Sequence, residues 1–189
     1  MDRNALIQAP RVLQTKQLRL LAPQPEFAAC FVESLNLSLP GLGFIGWGQR
    51  AQTLEWAERF MVGCMKDVEL GECLIFHAWE LAGDAYVGRV DLHTWDFGTP
   101  RCEVGYVGDV RTAGRGLMRE AVLACVELAF GLGVARVQAL SEADNAHALH
   151  FAQVALGFRR EGVLRNYERD AQGRLGEQVM FATYNPASV

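Results

Sequence analysis

The stretch EVGYVGDVRTAGRGLMREA, Glu103 to Ala121, changes its period halfway along. Up to Asp109 it is short, β-favouring and alternating, as a strand is. From Leu117 onward the apolar residues Leu117, Ala121, Val122, Cys125 and Ala129 form a helical stripe, with Glu120 and Glu127 sharing the opposite side. Gly131 and Gly133 stop that helix. Between strand and helix lies Ala113-Gly114-Arg115-Gly116-Leu117-Met118. A helix N-terminus offers unpaired N–H groups and a partial positive charge, and small residues there let a phosphate come close to the main chain. Arg111 and Arg115 would add charge at the mouth of such a site. The same loop also fits an ordinary strand-to-helix turn that uses glycine for its geometry, and both readings stand at this point.

Working outward, CLIFHAWEL and AYVGRVDLH precede CEVGYVGD as successive β runs separated by turn residues, which predicts antiparallel neighbours. Upstream, Leu18 and Leu20 alternate with Gln17 and Arg19 as a half-buried strand. A helix is expected from Glu26 to about Leu35, and a second from about Thr53 to Lys66, with Leu54, Ala57, Phe60, Met61 and Cys64 on one face. Downstream, VARVQALSEA reads as a strand and NAHALHFAQVALGF as a helix ending at Gly157. Two strands, about Phe158–Tyr167 and Glu177–Tyr184, flank a turn at 170–173. Strand, two helices, three strands, helix, strand, helix and two strands make an α+β plan that mixes hairpins with crossovers.

The 189 residues, half of them hydrophobic, suit one domain from Leu13 to Pro186, after a loosely ordered lead-in of residues 1–12. A net charge of −4 and the lack of a Lys/Arg run exclude a broad nucleic-acid grip. Five widely spaced cysteines, without a C-x-x-C pair, suggest a reducing compartment and no metal site. The most apolar stretch, Ala121 to Ala135, is interrupted by Glu127 and is shorter than the ~20 residues that cross a bilayer. No secretory signal opens the chain, so a cytoplasmic protein that does not engage membranes is expected.

Gly41, Gly43 and Gly46 satisfy G-x-G-x-x-G, and the preceding LNLSL, Leu35 to Leu39, alternates like a strand that could feed a dinucleotide loop. The context is poor. A dinucleotide-binding helix opens at the third glycine, whereas here helical spacing begins near Thr53. Asp67 stands at about the distance of a ribose ligand, yet KDVELG reads as a helix end and turn.

Taken with DNAHALHFAQVALGF and EGVLRNY, the stretch Glu103 to Ala121 resembles the GNAT superfamily of acyl-CoA-dependent N-acetyltransferases. GRGLMREA and the opening LQTKQLRL are similar to the Rim-type branch, the ribosomal-protein N-terminal alanine and serine acetyltransferases. The resemblance spans about Leu13 to Pro186. It implies a GNAT-type fold, a central mixed and mainly antiparallel sheet flanked by helices. It also implies acetyl-CoA as cosubstrate, no metal, and an amine acceptor such as a peptide N-terminus or a small amine, on a monomer or homodimer. Carried over by position, Ala113, Gly114, Arg115, Gly116, Leu117 and Met118 would hold the pyrophosphate, although Ala113 replaces a polar residue and Met118 a small one. Backbone groups of Tyr106, Val107 and Gly108 would meet the pantetheine arm. Asn145 would contact it too, or simply cap a helix.

The implied reaction is direct acetyl transfer from a thioester to an amine, which is mostly protonated at pH 7 and must lose a proton before attack. Glu103 is the candidate base, on the strand beside the thioester; a solvent-facing strand glutamate is the plainer alternative. A Ser and a Tyr that supply the leaving thiolate's proton in many relatives fall here on Ala148 and Gln153, and the Asn145-to-Gly157 spacing is one residue longer than expected. Tyr167 and His150 are the substitute acids. Cys102 raises an acetyl-cysteine route, although no His is placed in sequence to activate it. The missing Ser and Tyr also motivate a noncatalytic acyl-CoA-binding or sensing module, and a small-molecule or antibiotic amine fits as well as a peptide end.

Overall fold

A computed structural model of the chain describes residues 1–42, 50–169 and 173–188. Its elements are α1 (Arg3–Ile7), β1 (Val12–Gln14), β2 (Leu18–Leu21), α2 (Ala28–Ser38), α3 (Leu54–Glu69), β3 (Leu74–Glu80), β4 (Tyr86–Asp96), β5 (Arg101–Gly108), α4 (Leu117–Gly131), β6 (Arg136–Glu142), α5 (Ala146–His150), β7 (Arg159–Arg169) and β8 (Leu175–Tyr184). The strands form one eight-stranded sheet in the order β1-β2-β3-β4-β5-β6-β8-β7. Every neighbouring pair is antiparallel except β5 and β6. The mixed, mainly antiparallel α+β architecture expected from sequence is therefore present.

Alternation along the strands gives the sheet two apolar faces, and packing assigns each its helices. Leu74, Phe76 and Ala78 of β3, with Val90 and Leu92 of β4 and Cys102 and Val104 of β5, pack with Leu117, Ala121, Val122 and Cys125 of α4. Ile75, between them, turns the other way to join Cys64 and Val68 of α3, and Tyr86, beyond the register shift at Ala78/Trp79, joins Phe31 of α2 and Met61 of α3 on that side. Pleating thus divides one apolar chain into two buried layers. Thr53 caps α3 by accepting a hydrogen bond from the Trp56 N–H, and Gly71 follows its end at φ +64°.

Three expectations are corrected. Residues 1–12 are not a loose lead-in: Asp2 caps α1, and Leu6, fully shielded from solvent, belongs to the main core. Leu35 to Ser38 continue α2, and Leu39 begins a 3-10 turn, because Phe31, Val32 and Leu35 are buried together at helical spacing. The strand that a dinucleotide loop requires is absent there, while Gly43 and Gly46 lie outside the described residues, as do residues 170–172 of the last turn. Finally, the helix expected to run to Gly157 is α-helical only to His150 and continues as a π-helical turn, Phe151–Ala155. A π-turn takes up one extra residue, so it accounts for the additional residue between Asn145 and Gly157.

Candidate active site

The sheet opens where its one parallel pair parts. Only Arg101, Cys102 and Glu103 of β5 pair with Arg136, Val137 and Gln138 of β6; beyond Glu103 the two strands have no common register. Just past the end of β5, the Asp109 N–H donates to the Val87 carbonyl at 2.8 Å. The Val107 carbonyl oxygen lies 2.3 Å from where a Cβ on Gly88 would stand. Both groups face β4, so alternation turns the backbone groups of Tyr106 and Gly108 to the other edge, into the parting. Val107, grouped with them from sequence, presents its backbone carbonyl to β4 instead.

At the end of this strand, Ala113 to Met118 lead into α4. Gly116 is the helix N-cap in left-handed conformation at φ +76°, and Gly114 has φ +75°. No side chain caps the helix, and a Cβ at either glycine would meet open space. The first backbone bond runs from the Glu120 N–H to the Gly116 carbonyl. Among the described residues, the N–H groups of Leu117, Met118 and Arg119 therefore start the helix without a backbone acceptor, an arrangement suited to an anion. The two arginines expected to charge this mouth are already engaged. Arg111 pairs with Asp109 at 2.6 Å and Glu33 at 2.9 Å, which raises its own pKa, and Arg115 pairs with Glu80. Met118 lies over the two glycines beneath it, its Sδ 2.9 Å from the place of a Gly88 Cβ and its Cγ 3.5 Å from that of Gly108. Those glycines make room for the large residue that departs from the family pattern. Glu120 turns from solvent to accept hydrogen bonds from the Thr15 hydroxyl and from both the backbone and the side chain of Gln17. It thereby ties the β1–β2 turn to α4.

Asn145 caps α5 with its Oδ1, which accepts from the Ala148 N–H at 3.0 Å. Capping uses only the oxygen, and the Nδ2 donor remains for a second partner. The π-turn brings Phe151 against Tyr106, with ring centroids 5.1 Å apart. The Arg119 Nε donates to the Ala155 carbonyl at 2.6 Å. His150 and Gln153 are exposed. Cys102 is 1% exposed, and burial pushes its thiol up to about 12. A thiol held neutral in the core is no nucleophile, which removes the acetyl-cysteine route.

On the face opposite α4, Glu103 and Tyr167, far apart in sequence, line one cleft of about 420 Å³ with Thr94, Arg136, Glu161 and Met180. Tyr167 is 54% exposed. Gln138 donates to Glu103 at 3.2 Å. Arg136 grips Glu161 through two hydrogen bonds, and with a bond from the Tyr184 hydroxyl this holds the Glu161 carboxyl down at about 2. Sequence spacing did not single out three further polar residues here: Asp91, His93 and Thr94 on β4. Asp91 stands opposite Gly105 and His93 opposite Glu103. The alternation of β4 was the available signal, since it puts Asp91 and His93 on one face. Among the described residues no group of three or more His, Cys, Asp or Glu is arranged to hold a metal ion, and no helix is long and apolar enough to cross a membrane.

Similarity to known proteins agrees with this geometry. Residues 20–159 match the family described as acetyltransferase (GNAT) domain. An uncharacterized N-acetyltransferase, p20, from Bacillus licheniformis is 30% identical over 126 residues, 66% of this chain and 70% of that protein. Among solved structures, the microcin C7 self-immunity acetyltransferase MccE in complex with acetyl-CoA and AMP superposes with a TM-score of 0.81 at 19% identity, covering 90% of this chain and 93% of its own. The ribosomal L7/L12 acetyltransferase RimL in complex with coenzyme A also gives 0.81, at 17% identity over 93% of this chain and 99% of its own. The ribosomal-protein-S5-alanine acetyltransferase of Vibrio fischeri gives 0.77 at 18% identity, over 93% and 97% respectively. With its eight-stranded sheet, parted parallel pair and glycine-led helix, the chain belongs to the GNAT acetyltransferase family.

Proposed function

We propose that the protein transfers an acetyl group directly from acetyl-CoA to a primary amine at the end of a peptide or protein. The observation that carries this is the parting of β5 from β6 beside the uncapped, glycine-led start of α4. It joins an exposed strand edge, a concentration of free N–H donors and a polar cleft on the opposite face. The N–H groups from Gly114 to Arg119 hold a diphosphate, and the Asn145 Nδ2 and the β5 edge hold the amide arm. The cosubstrate supplies a thioester. A backbone N–H on the free edge near Tyr106 stabilises the developing oxyanion, and Glu103 accepts the amine's proton directly or through one water. Tyr167, on the rim of the same cleft, is the candidate donor to the departing thiolate. Solvent can replace it where the thiolate is only weakly basic. A peptide acceptor is favoured because the cleft is open to solvent, carries both charge signs and extends along β7, so that a chain can continue past its amine. The neighbours named for ribosomal proteins lend it support.

The test is incubation with acetyl-CoA and a panel of Ala- and Ser-terminated peptides and small primary amines, following free thiol and product mass. Release of thiol with acetylated peptide is the expected result. Turnover of small amines only would move the acceptor class. Binding without any turnover would favour the noncatalytic module suggested by Ala148 and Gln153.

A further inference from the structure

Asp91, His93 and Thr94 form a connected polar array beside the parted strands, and Glu103 stands across from it on β5. His93 Nδ1 lies 2.7 Å from the Thr94 hydroxyl. On the other side of the ring, Nε2 is 3.6 Å from the Asp91 carboxylate, whose second oxygen is fixed by Arg89 at 3.0 Å. The Asp91 Oδ2 occupies space vacated by Gly105, 3.0 Å from where a Cβ would be, one residue from Tyr106. His93 is the direct cross-strand partner of Glu103, which sets their Cβ atoms about 5 Å apart. Thr94 lines the same cleft as Glu103 and holds φ +52° at the register break between His93 and Asp96. A β-branched residue rarely takes that conformation, and a fold that imposes it aims the side chain at a cost.

We propose that His93, oriented by Asp91 and Thr94, is a positioning residue that returns Glu103 to its carboxylate form after each acetyl transfer. The inference rests on the acetyltransferase function proposed above. The ammonium gives one proton to Glu103, and its freed lone pair forms the C–N bond. The C–S bond breaks with its electron pair on sulfur, and the nitrogen's second proton is balanced by protonation of the thiolate. Glu103 then passes its proton, directly or across one water in the cleft, to the Thr94 oxygen as that hydroxyl gives its own to His93 Nδ1. The imidazolium is balanced by Asp91 and sheds the proton to solvent across its exposed edge, so that one proton is released per turnover.

The charged and titratable groups around His93 are Asp91, Arg89 and Asp96 on β4, Glu103 and Arg101 on β5, and Arg136 and Glu161 across the cleft. Cys73 before β3 interacts with both Asp91 and Asp67 of α3, and burial pushes its thiol up to about 11, so it stays neutral.

The experiment measures kcat and KM across about pH 5.5 to 8.5 with the best acceptor of the panel, on the full chain and on His93→Gln, Thr94→Gly and Thr94→Ser. His93→Gln is expected to lower kcat about tenfold or more, leave KM for acetyl-CoA unchanged and displace the acidic limb of the profile. Thr94→Ser keeps the hydroxyl and stays within twofold. Thr94→Gly relieves the positive φ, so it folds at least as stably, yet loses activity like His93→Gln. That combination of stability kept and activity lost is not expected of a merely structural role. Values for His93→Gln and Thr94→Gly within twofold of the unaltered protein, with the acidic limb unmoved, would overturn the relay alone. Absence of thiol release from the unaltered protein would overturn the acetyltransferase reading and the relay with it.

Discussion

Replacing Gly88 by Ala tests whether β4, β5 and α4 are packed as tightly as the site requires. Gly88 has φ +151°, a region that side chains rarely enter, and that alone costs about 1–3 kcal/mol. The added Cβ would lie 2.3 Å from the Val107 carbonyl oxygen, 3.0 Å from the Gly108 Cα and 2.9 Å from the Met118 Sδ. Two of those three atoms are backbone and cannot swing aside, so overpacking adds about 1–3 kcal/mol. The sum is roughly 4 kcal/mol, which for a chain of this size lowers Tm by about 10 °C. Urea and thermal unfolding, followed by circular dichroism, measure it directly. Adding Met118→Ala removes only the side-chain clash and should restore about 1 kcal/mol. Gly108→Ala is the control, because its Cβ would meet Met118 Cγ at an ordinary 3.5 Å, and it should cost under about 1 kcal/mol. A Gly88→Ala protein within about 1 kcal/mol of the unaltered chain would refute the packing argument.

Three further outcomes are expected. Gly116→Glu should reduce acetyl-CoA affinity at least about 100-fold by calorimetry, because a carboxylate and a side chain replace the open N-terminal approach to α4. Asn145→Asp keeps the cap on the Ala148 N–H but loses the Nδ2 donor, so unchanged Tm with about tenfold weaker acetyl-CoA binding is expected; unchanged binding would leave Asn145 as a cap only. His77 is fully buried, bonded through Nδ1 to the Tyr86 hydroxyl, and burial lowers its pKa to about 3. The unfolded chain takes up the proton near pH 6.5, so this contribution is complete above that pH and is lost as pH falls from there towards 3, by up to about 5 kcal/mol. Urea titrations at pH 7 and 4.5 should show about 3 kcal/mol of that loss in the unaltered protein and much less of it in His77→Phe/Tyr86→Phe.

Much of this site was legible along the chain because its signals are local. The alternation of β5, the glycines that open α4 and the stripe from Leu117 to Ala129 are each set by near neighbours. The extra residue before Gly157 was visible as a mismatch in spacing, but only the backbone showed that a π-turn absorbs it while pressing Phe151 onto Tyr106. Arg111 and Arg115 were read as charges free to meet an anion. Their acidic partners, Glu33 and Glu80, come from distant elements, and no spacing rule connects them.

Periodicity and turn chemistry determined the order of strands and helices and the place of the glycine-rich loop before α4, since backbone preference and amphipathic burial act over a few residues. They left open which face each strand showed to which helix, because alternation defines two faces without naming either. Tertiary packing settled that choice. It buried Cys102 under α4 and turned Glu103 to the opposite side. It carried Tyr167 from β7 to the same cleft, and it stopped the β5–β6 ladder at Glu103, where the strands diverge and the acetyl-transfer site is proposed to lie. Where a ladder ends depends on the twist and packing of the whole sheet, which no stretch of a few residues contains.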